Sequence, residues 1–144
     1  MPTINAKLLR YLRNISLRET GLQKELRQIT NKLPEAGWEV SPEQAQFLAL
    51  LVQITGAKYV LELGTFTGHS SLAMGLALPT DGRLVTCDME PKYTNIAQEY
   101  WIKAGIHQKI ELRLGPAMST LDDLIQKGRK AHFDLAFIDA NKKD

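Results

Sequence analysis

The sequence contains little cysteine and no long apolar run. Its 144 residues include one cysteine, Cys87, so no disulfide can form within the chain, and a reducing compartment, the cytoplasm, is expected. No run approaches the roughly 18 apolar residues of a membrane span, and the charged N-terminus lacks the apolar segment of a signal peptide. We therefore expect neither a signal peptide nor a membrane partner.

A dominant charge of one sign is also missing. The chain has 18 Lys and Arg against 16 Asp and Glu, a formal net charge of +2, so no basic face and no nucleic-acid partner is expected. His69, His107 and His132 lie far apart without metal-ligand spacing, and no Gly-x-Ser-x-Gly motif is present. A histidine metal centre and a serine hydrolase are therefore not predicted, and His69 is interpreted as a residue that shapes a turn.

A strand, a glycine turn and a helix start follow one another in the middle of the chain. The apolar run Tyr59–Leu63 predicts a short buried strand, Gly64 and Gly68 predict a tight turn, and a helix begins at Ser70. Free backbone N–H groups at the positive end of a helix dipole can bind the polar groups of a ligand. Glycines at this turn are also a general need of α/β sheets, so the turn alone does not identify a ligand.

The acidic residues beside this turn narrow the choice of ligand. Asp88 follows Gly68 by 20 residues, at the end of the next apolar run, where a carboxylate can accept both hydroxyls of a ribose. The dinucleotide fingerprint needs a glycine where this chain has Phe66, so a nicotinamide oxidoreductase is the less favoured alternative. Glu62 at the strand end suits a ligand with an amino-acid tail and a ribose, such as S-adenosylmethionine.

Helices and strands alternate through most of the chain, which predicts an α/β fold with a parallel sheet and right-handed crossovers. Residues 1–40 are predicted as a helical extension, with one helix over 4–15 and a second from the capping box Ser16-x-x-Glu19 to Pro34. The domain proper covers 41–144. Its first helix begins at the N-cap Ser41 and ends at Gly56, and its predicted buried residues are Phe47, Leu48, Leu51 and Val52. The predicted strands are 58–63, 83–87, 109–114 and 133–139, and the intervening helices are 70–78, 91–104 and 117–127.

A carboxylate and an amine follow the last predicted strand. Asp139 lies at the strand end, and Lys142 follows at i+3. An oxygen-preferring cation such as Mg²⁺ suits Asp139, and Lys142 can take a proton from a hydroxyl whose pKa the cation lowers. Ligands of parallel sheets bind at the carboxyl ends of the strands, where this pair and the Gly115–Ala117 turn are expected.

Together these motifs resemble the cation-dependent class I methyltransferases, which include the caffeoyl-CoA O-methyltransferases and, more distantly, catechol O-methyltransferase. The resemblance rests on Glu62-Leu-Gly64-Thr-Phe-Thr-Gly68-His-Ser70, Asp88, Gly115-Pro-Ala117 and Phe133 to Lys142. It implies a Rossmann-like fold, a homodimer, and methyl transfer from S-adenosylmethionine to a hydroxyl of a catechol-like or caffeoyl-type small molecule. It also implies Asp139 as metal ligand, Asp139 and Lys142 as catalytic residues, and S-adenosylmethionine contacts at Val40, Glu62, Gly64, Thr65, Ser70, Asp88 and Ala117.

The chain departs from this family's pattern near its last residues. Asn141 stands where many relatives have a second Asp, and the sequence stops at Asp144, before the segment that supplies their other metal ligands. We therefore expect a sheet that is incomplete on its C-terminal side, an apolar edge strand at 133–139, and little methyl transfer by these residues alone. A non-catalytic module that binds S-adenosylmethionine remains the alternative.

Overall fold

The sheet is parallel and has four strands. The computed structural model describes residues 5–140, and the strand order is β3-β2-β1-β4. All three pairings are parallel, and Glu62 is paired with Thr86 on one side and with Phe137 on the other. The predicted α/β class is confirmed. The strands are β1 (Tyr59–Leu63), β2 (Arg83–Asp88), β3 (Ile110–Leu114) and β4 (Leu135–Ile138).

Helices pack against both faces of the sheet because side chains of a strand alternate between its faces. On β1, Val60 belongs to a core cluster with Leu48 and Met74, whereas Leu61 packs in a separate cluster with Leu124. The six α-helices of the described part are α1 (Ala6–Ser16), α2 (Gly21–Thr30), α3 (Pro42–Thr55), α4 (His69–Ala77), α5 (Pro91–Lys103) and α6 (Ala117–Gln126), and 3₁₀ turns lie at Ala36–Trp38 and His107–Lys109.

The predicted start of the second helix at Ser16 is wrong. The first helix continues through Ser16, whose hydroxyl donates to the Leu12 carbonyl at 2.7 Å instead of capping a new helix. The capping box lies at Thr20 and Gln23, each side chain bonding to the other residue's backbone N–H. The same pattern of a hydroxyl followed at i+3 by a longer polar side chain occurs twice within eight residues, and only the second forms a capping box.

The third helix begins and ends as predicted, but one of its expected core residues is exposed. Ser41 caps α3 through the Gln44 N–H, and Gly56 ends it in the left-handed conformation with φ +63°. Phe47 was expected in the core and is 56% exposed, which corrects that prediction. The buried stripe of α3 consists of Ala45, Leu48 and Val52, and Phe47 points about 100° away from Leu48 around the helix axis.

The two N-terminal helices differ in how they join the core. On α2, Leu26 is fully buried and packs with Leu72, Tyr100 and Trp101, so these two aromatic residues belong to the core. None of the residues of α1 is buried. The boundary predicted at residue 40 stays a prediction, but the core of the domain includes α2. Within residues 5–140, no helix is long and apolar enough to cross a membrane.

Candidate active site

The turn between β1 and α4, residues 64–68, is the centre of the candidate site and is called the ligand turn below. Its glycines have φ values of +99° at Gly64 and +85° at Gly68. A Cβ at Gly64 would lie 2.9 Å from the Asp139 carbonyl, and one at Gly68 would lie 2.5 Å from the Cβ of Ala97. The ligand turn is therefore confined between the end of β4 and α5, and both glycines are needed for their backbone angles and for close approach.

Asp88 supports the ligand turn through its carboxylate. Oδ2 accepts the N–H groups of Thr65 at 2.9 Å and Phe66 at 2.7 Å, and Oδ1 accepts the N–H of Glu90 at 3.0 Å. Phe66 is held in the left-handed region with φ +49°, a rare conformation for a residue with a side chain. Asp88 thus organises the backbone of the turn, and its expected contact with a ribose remains a prediction.

Glu62 is completely buried beneath the ligand turn. Its two oxygens accept hydrogen bonds from Ser70 Oγ at 2.5 Å and Thr86 Oγ1 at 2.6 Å, and Thr86 Oγ1 lies 2.5 Å from Thr65 Oγ1. Burial raises the pKa of Glu62 to about 7; the hydrogen bonds from Ser70 and Thr86 oppose this shift. This network joins β1, β2 and α4. The structure thus brings Glu62, Thr65 and Ser70 together in positions that support the turn from the core, and their contacts with S-adenosylmethionine stay a prediction.

Asp139 and Ala117 lie along the same edge of the sheet. The Asp139 N–H donates to the Leu63 carbonyl at 2.8 Å, so Asp139 directly follows β4 beside Gly64. Ala117 is the first residue of α6, after the turn that bonds to the Asp88 carbonyl through the Gly115 N–H. Val40 lies just before the N-cap of α3. Lys142 and Asn141 lie outside the described residues.

The described residues do not provide a complete cation site. Within residues 5–140, no group of three or more His, Cys, Asp or Glu side chains converges as metal ligands. Asp139 is half-buried at the carboxyl end of β4, in the place expected for one ligand. Its role as a metal ligand therefore stays a prediction, and within residues 5–140 it does not belong to a group of three or more such side chains.

An aromatic group beside the ligand turn was missed by the sequence reasoning. The ring centroids of Trp38 and Phe66 are 5.8 Å apart, those of Phe66 and Tyr93 4.7 Å, and those of Trp38 and Tyr93 6.2 Å. These three residues come from the 3₁₀ turn Ala36–Trp38, the ligand turn and α5, so no local period relates them. The one available signal was the aromatic residue at position 66, where the turn would be easier for glycine.

The sequence profile of the O-methyltransferase family matches residues 13–144. The chain belongs to the O-methyltransferase family. It is 42% identical to catechol O-methyltransferase domain-containing protein 1 of Mus musculus over 144 residues, which span all of this chain and 55% of the mouse protein. It is also 42% identical to caffeoyl-CoA O-methyltransferase 1 of Eucalyptus globulus over 125 residues, covering 87% of this chain and 51% of the plant enzyme.

Solved structures of O-methyltransferases have the same fold. TomG of Streptomyces achromogenes, in complex with S-adenosylmethionine, aligns with a TM-score of 0.83 at 35% identity, covering 92% of this chain and 59% of TomG. The methyltransferase PaMTH1 of Podospora anserina, bound to S-adenosylhomocysteine, aligns with a TM-score of 0.85 at 26% identity. The alignment covers 99% of this chain and 61% of PaMTH1. The resemblance read from the sequence is confirmed. The chain spans little more than half the length of these relatives.

Proposed function

We propose that this protein is an S-adenosylmethionine-dependent O-methyltransferase whose acceptor is a catechol-like or caffeoyl-type small molecule. The observation that carries the proposal is the ligand turn, which is held by the Asp88 carboxylate at the carboxyl edge of the sheet and leads directly into α4. Parallel sheets bind ligands at this edge. Related proteins with the same fold, TomG and PaMTH1, were solved with S-adenosylmethionine and S-adenosylhomocysteine.

In the proposed reaction, an acceptor hydroxyl oxygen attacks the methyl carbon of the sulfonium. The oxygen–carbon bond forms as the carbon–sulfur bond breaks, the thioether S-adenosylhomocysteine leaves, and the hydroxyl proton passes to a base. Lys142 is the proposed base, by its position in the family's motif. The protein's own contribution is to hold donor and acceptor in line, since misplacement by about 1 Å can cost a hundredfold in rate.

Asp139 is the residue that we propose as a ligand of a divalent cation. If bound there, a cation would neutralise the developing phenolate, but residues 5–140 contain no group of three or more His, Cys, Asp or Glu side chains that could hold it. No step above depends on it.

The nicotinamide alternative is separated from the proposed function by a binding measurement. The nicotinamide alternative is disfavoured by Phe66, whose backbone is in the place of the second fingerprint glycine and whose ring packs against Trp38 and Tyr93. Calorimetry of the chain with S-adenosylhomocysteine and with NAD tests the proposal, and we expect the first to bind more tightly. Equal or tighter binding of NAD would contradict it.

The non-catalytic alternative is tested by an activity assay. The chain and a version extended with the C-terminal segment of a related enzyme are compared for methyl transfer to a catechol in the presence of Mg²⁺. We expect turnover by the extended version and little by the 144 residues alone, with similar S-adenosylhomocysteine affinity for both. Comparable turnover by both proteins would show that metal ligands beyond Asp144 are not needed. The assignment of Asp139 as a metal ligand would then be wrong. Binding without turnover by either would favour the non-catalytic module.

We also propose that the protein is a homodimer. The support is an apolar stripe on α1, where Leu8, Tyr11, Leu12 and Ile15 are all exposed. Exposed apolar surfaces that extend over several neighbouring residues can mark contacts between protein chains.

A further inference from the structure

A group of charged side chains is buried between α2, α4 and the segment before α3. His69, the first residue of α4, is 2% exposed. Its Nε2 lies 3.8 Å from Glu19 Oε1 and its Nδ1 lies 3.6 Å from Glu39 Oε1. The side chains of Glu19 and Glu39 are also more than nine-tenths buried. These three residues and Arg27 are called the buried charge cluster below.

The buried charge cluster is incompletely paired. Arg27 donates two hydrogen bonds to the Glu19 carboxylate, at 2.7 and 2.8 Å, so this pair is neutral. Within residues 5–140, neither ring nitrogen of His69 nor Oε1 of Glu39 has a hydrogen-bond partner. A buried charge without a partner is costly, so Glu39 and His69 together favour holding one additional proton. With that proton the cluster is neutral, and without it one negative charge remains at Glu39.

The cluster connects the parts of the chain that enclose the candidate site. Glu39 is followed by Val40, an expected ligand contact, and the Val40 main chain lies beside the His69 ring, although short of hydrogen-bonding geometry. His69 directly follows Gly68 of the ligand turn. A second buried link runs from Thr30 Oγ1 to Thr67 Oγ1 at 2.8 Å and joins α2 to the same turn.

We propose that Glu39 and His69 are positioning residues that hold the Val40 segment against the ligand turn, and that the proton they share keeps this arrangement closed. The inference rests on the proposed function for the identity of the ligand, S-adenosylmethionine or its product. When the proton is lost, the Glu39 carboxylate has no salt bridge to a Lys or Arg of residues 5–140, and the Glu19 carboxylate repels it. The Val40 segment then moves away from α2 and the ligand is held less firmly.

The electrostatic surroundings set the direction of the effect. Burial raises the pKa of Glu39 to about 7, with a further increase from Glu19; Arg27 and the Thr30 hydroxyl oppose it. Burial lowers the pKa of His69, while Glu19 and the Val40 main chain raise it and Arg27 lowers it. Glu43 acts on the cluster through Arg27. The shared proton is therefore present at pH 6 and lost at pH 8, and ligand affinity should fall between these values.

Calorimetry with S-adenosylhomocysteine at pH 6 and pH 8 tests the inference on the wild-type chain and two variants. We expect several-fold weaker binding by the wild type at pH 8, and a much smaller change for Glu39→Gln, because glutamine resembles the protonated acid. The matched control is Glu35→Gln, on the same segment but beside Tyr93, and it should keep the wild-type profile. Glu62 also titrates in this range, but equally in all three proteins, so the difference between profiles reports Glu39.

A second measurement follows the cluster directly. The NMR signal of the His69 ring, assigned by its loss in His69→Gln, should titrate at a different pH in Glu39→Gln than in the wild type. An unchanged His69 titration, or an identical affinity profile for Glu39→Gln and the wild type, would overturn the inference while leaving the proposed function intact. Absence of S-adenosylhomocysteine binding by the wild type at either pH would overturn the proposed function and the inference with it.

Discussion

At the scale of single residues, the ligand turn depends on positions that accept no side chain. Gly68 has a positive φ of +85° and is closely surrounded by other atoms. A Cβ there would lie 2.5 Å from Ala97 Cβ and 3.0 Å from Ala97 Cα. Gly105 has a similar φ of +69°, but no described atom lies within 4 Å of its Cβ position. Alanine at Gly105 would therefore add backbone strain alone, whereas alanine at Gly68 would add both backbone strain and steric overlap.

We expect Gly105→Ala to lower the free energy of unfolding by about 1–2 kcal/mol, the usual cost of the left-handed conformation. Gly68→Ala should cost about 1–3 kcal/mol more, because α4 and α5 must also separate. Urea denaturation of the two variants measures the difference. Equal losses would show that α5 adjusts without cost and that the close approach at Gly68 is unimportant.

Asp88 combines two roles that can be separated by substitution. Asp88→Ala removes the acceptor of the Thr65 and Phe66 N–H groups and the expected ribose contact, so S-adenosylhomocysteine binding should weaken by about 1.5–3 kcal/mol. Asp88→Asn keeps one oxygen for the turn and should lose less affinity and little stability. Calorimetry and thermal unfolding of both variants make the comparison. Wild-type affinity in Asp88→Ala would exclude Asp88 from the binding site.

At the scale of elements, α1 is the helix least anchored to the protein. It is attached by the Arg13–Glu43 ion pair at 2.6 Å and by Gln46, whose side chain bonds to the Ser16 carbonyl and the Arg18 N–H. An 11-residue helix is marginal in water by itself, so α1 needs further burial to be stable. Its apolar stripe supplies the surface for that burial.

We expect Leu8→Glu combined with Leu12→Glu to convert a dimer into a monomer, because two charges would have to enter the apolar interface. Ile102→Glu, at an exposed position on α5, is the control and should leave the dimer intact. Light scattering over a range of protein concentrations gives the mass. A wild-type chain that stays monomeric at high concentration would refute self-association through α1.

At the scale of the whole molecule, buried acids connect stability to pH. Glu62 has a pKa of about 7 in the folded protein and an ordinary value of 4.5 otherwise. The folded state therefore binds this proton more tightly than the unfolded state, and the associated stability is present below pH 4.5 and lost as pH rises toward 7. Asp134 behaves in the opposite way, because its carboxylate accepts the N–H groups of Tyr59 and Lys58, which lower its pKa. The stabilisation that Asp134 provides is therefore lost only in more acidic solution.

We expect the stability of Glu62→Gln relative to the wild type to increase from pH 5 to pH 7 and then to level off. The slope should be at most about 1.4 kcal/mol per pH unit, the value for one proton. At pH 5 Glu62 is protonated, and the glutamine amide resembles that neutral acid, so the two proteins should be similar in stability there. Denaturation at several pH values tests this, and parallel curves for the two proteins would show that Glu62 is ionised throughout.

The sequence alone was sufficient where the signal is local. The cap at Ser41, the stop at Gly56 and the glycine turn after β1 were all predicted correctly, because backbone angles and orphan N–H groups are properties of a few consecutive residues. The repeated order of strand and helix also predicted the parallel sheet, since a helix between two successive strands provides the crossover that parallel pairing requires. The edge position predicted for β4 is confirmed in the described part of the chain.

Only the tertiary structure decided what lies together over long separations. Whether Ser16 or Thr20 caps α2, and whether Phe47 faces the core or solvent, depends on which face of each helix meets the sheet. The buried charge cluster joins residues 19, 27, 39 and 69, which share no period or motif. Packing alone removes these charges from water, and desolvation shifts their pKa values. Local sequence patterns therefore do not predict that desolvation.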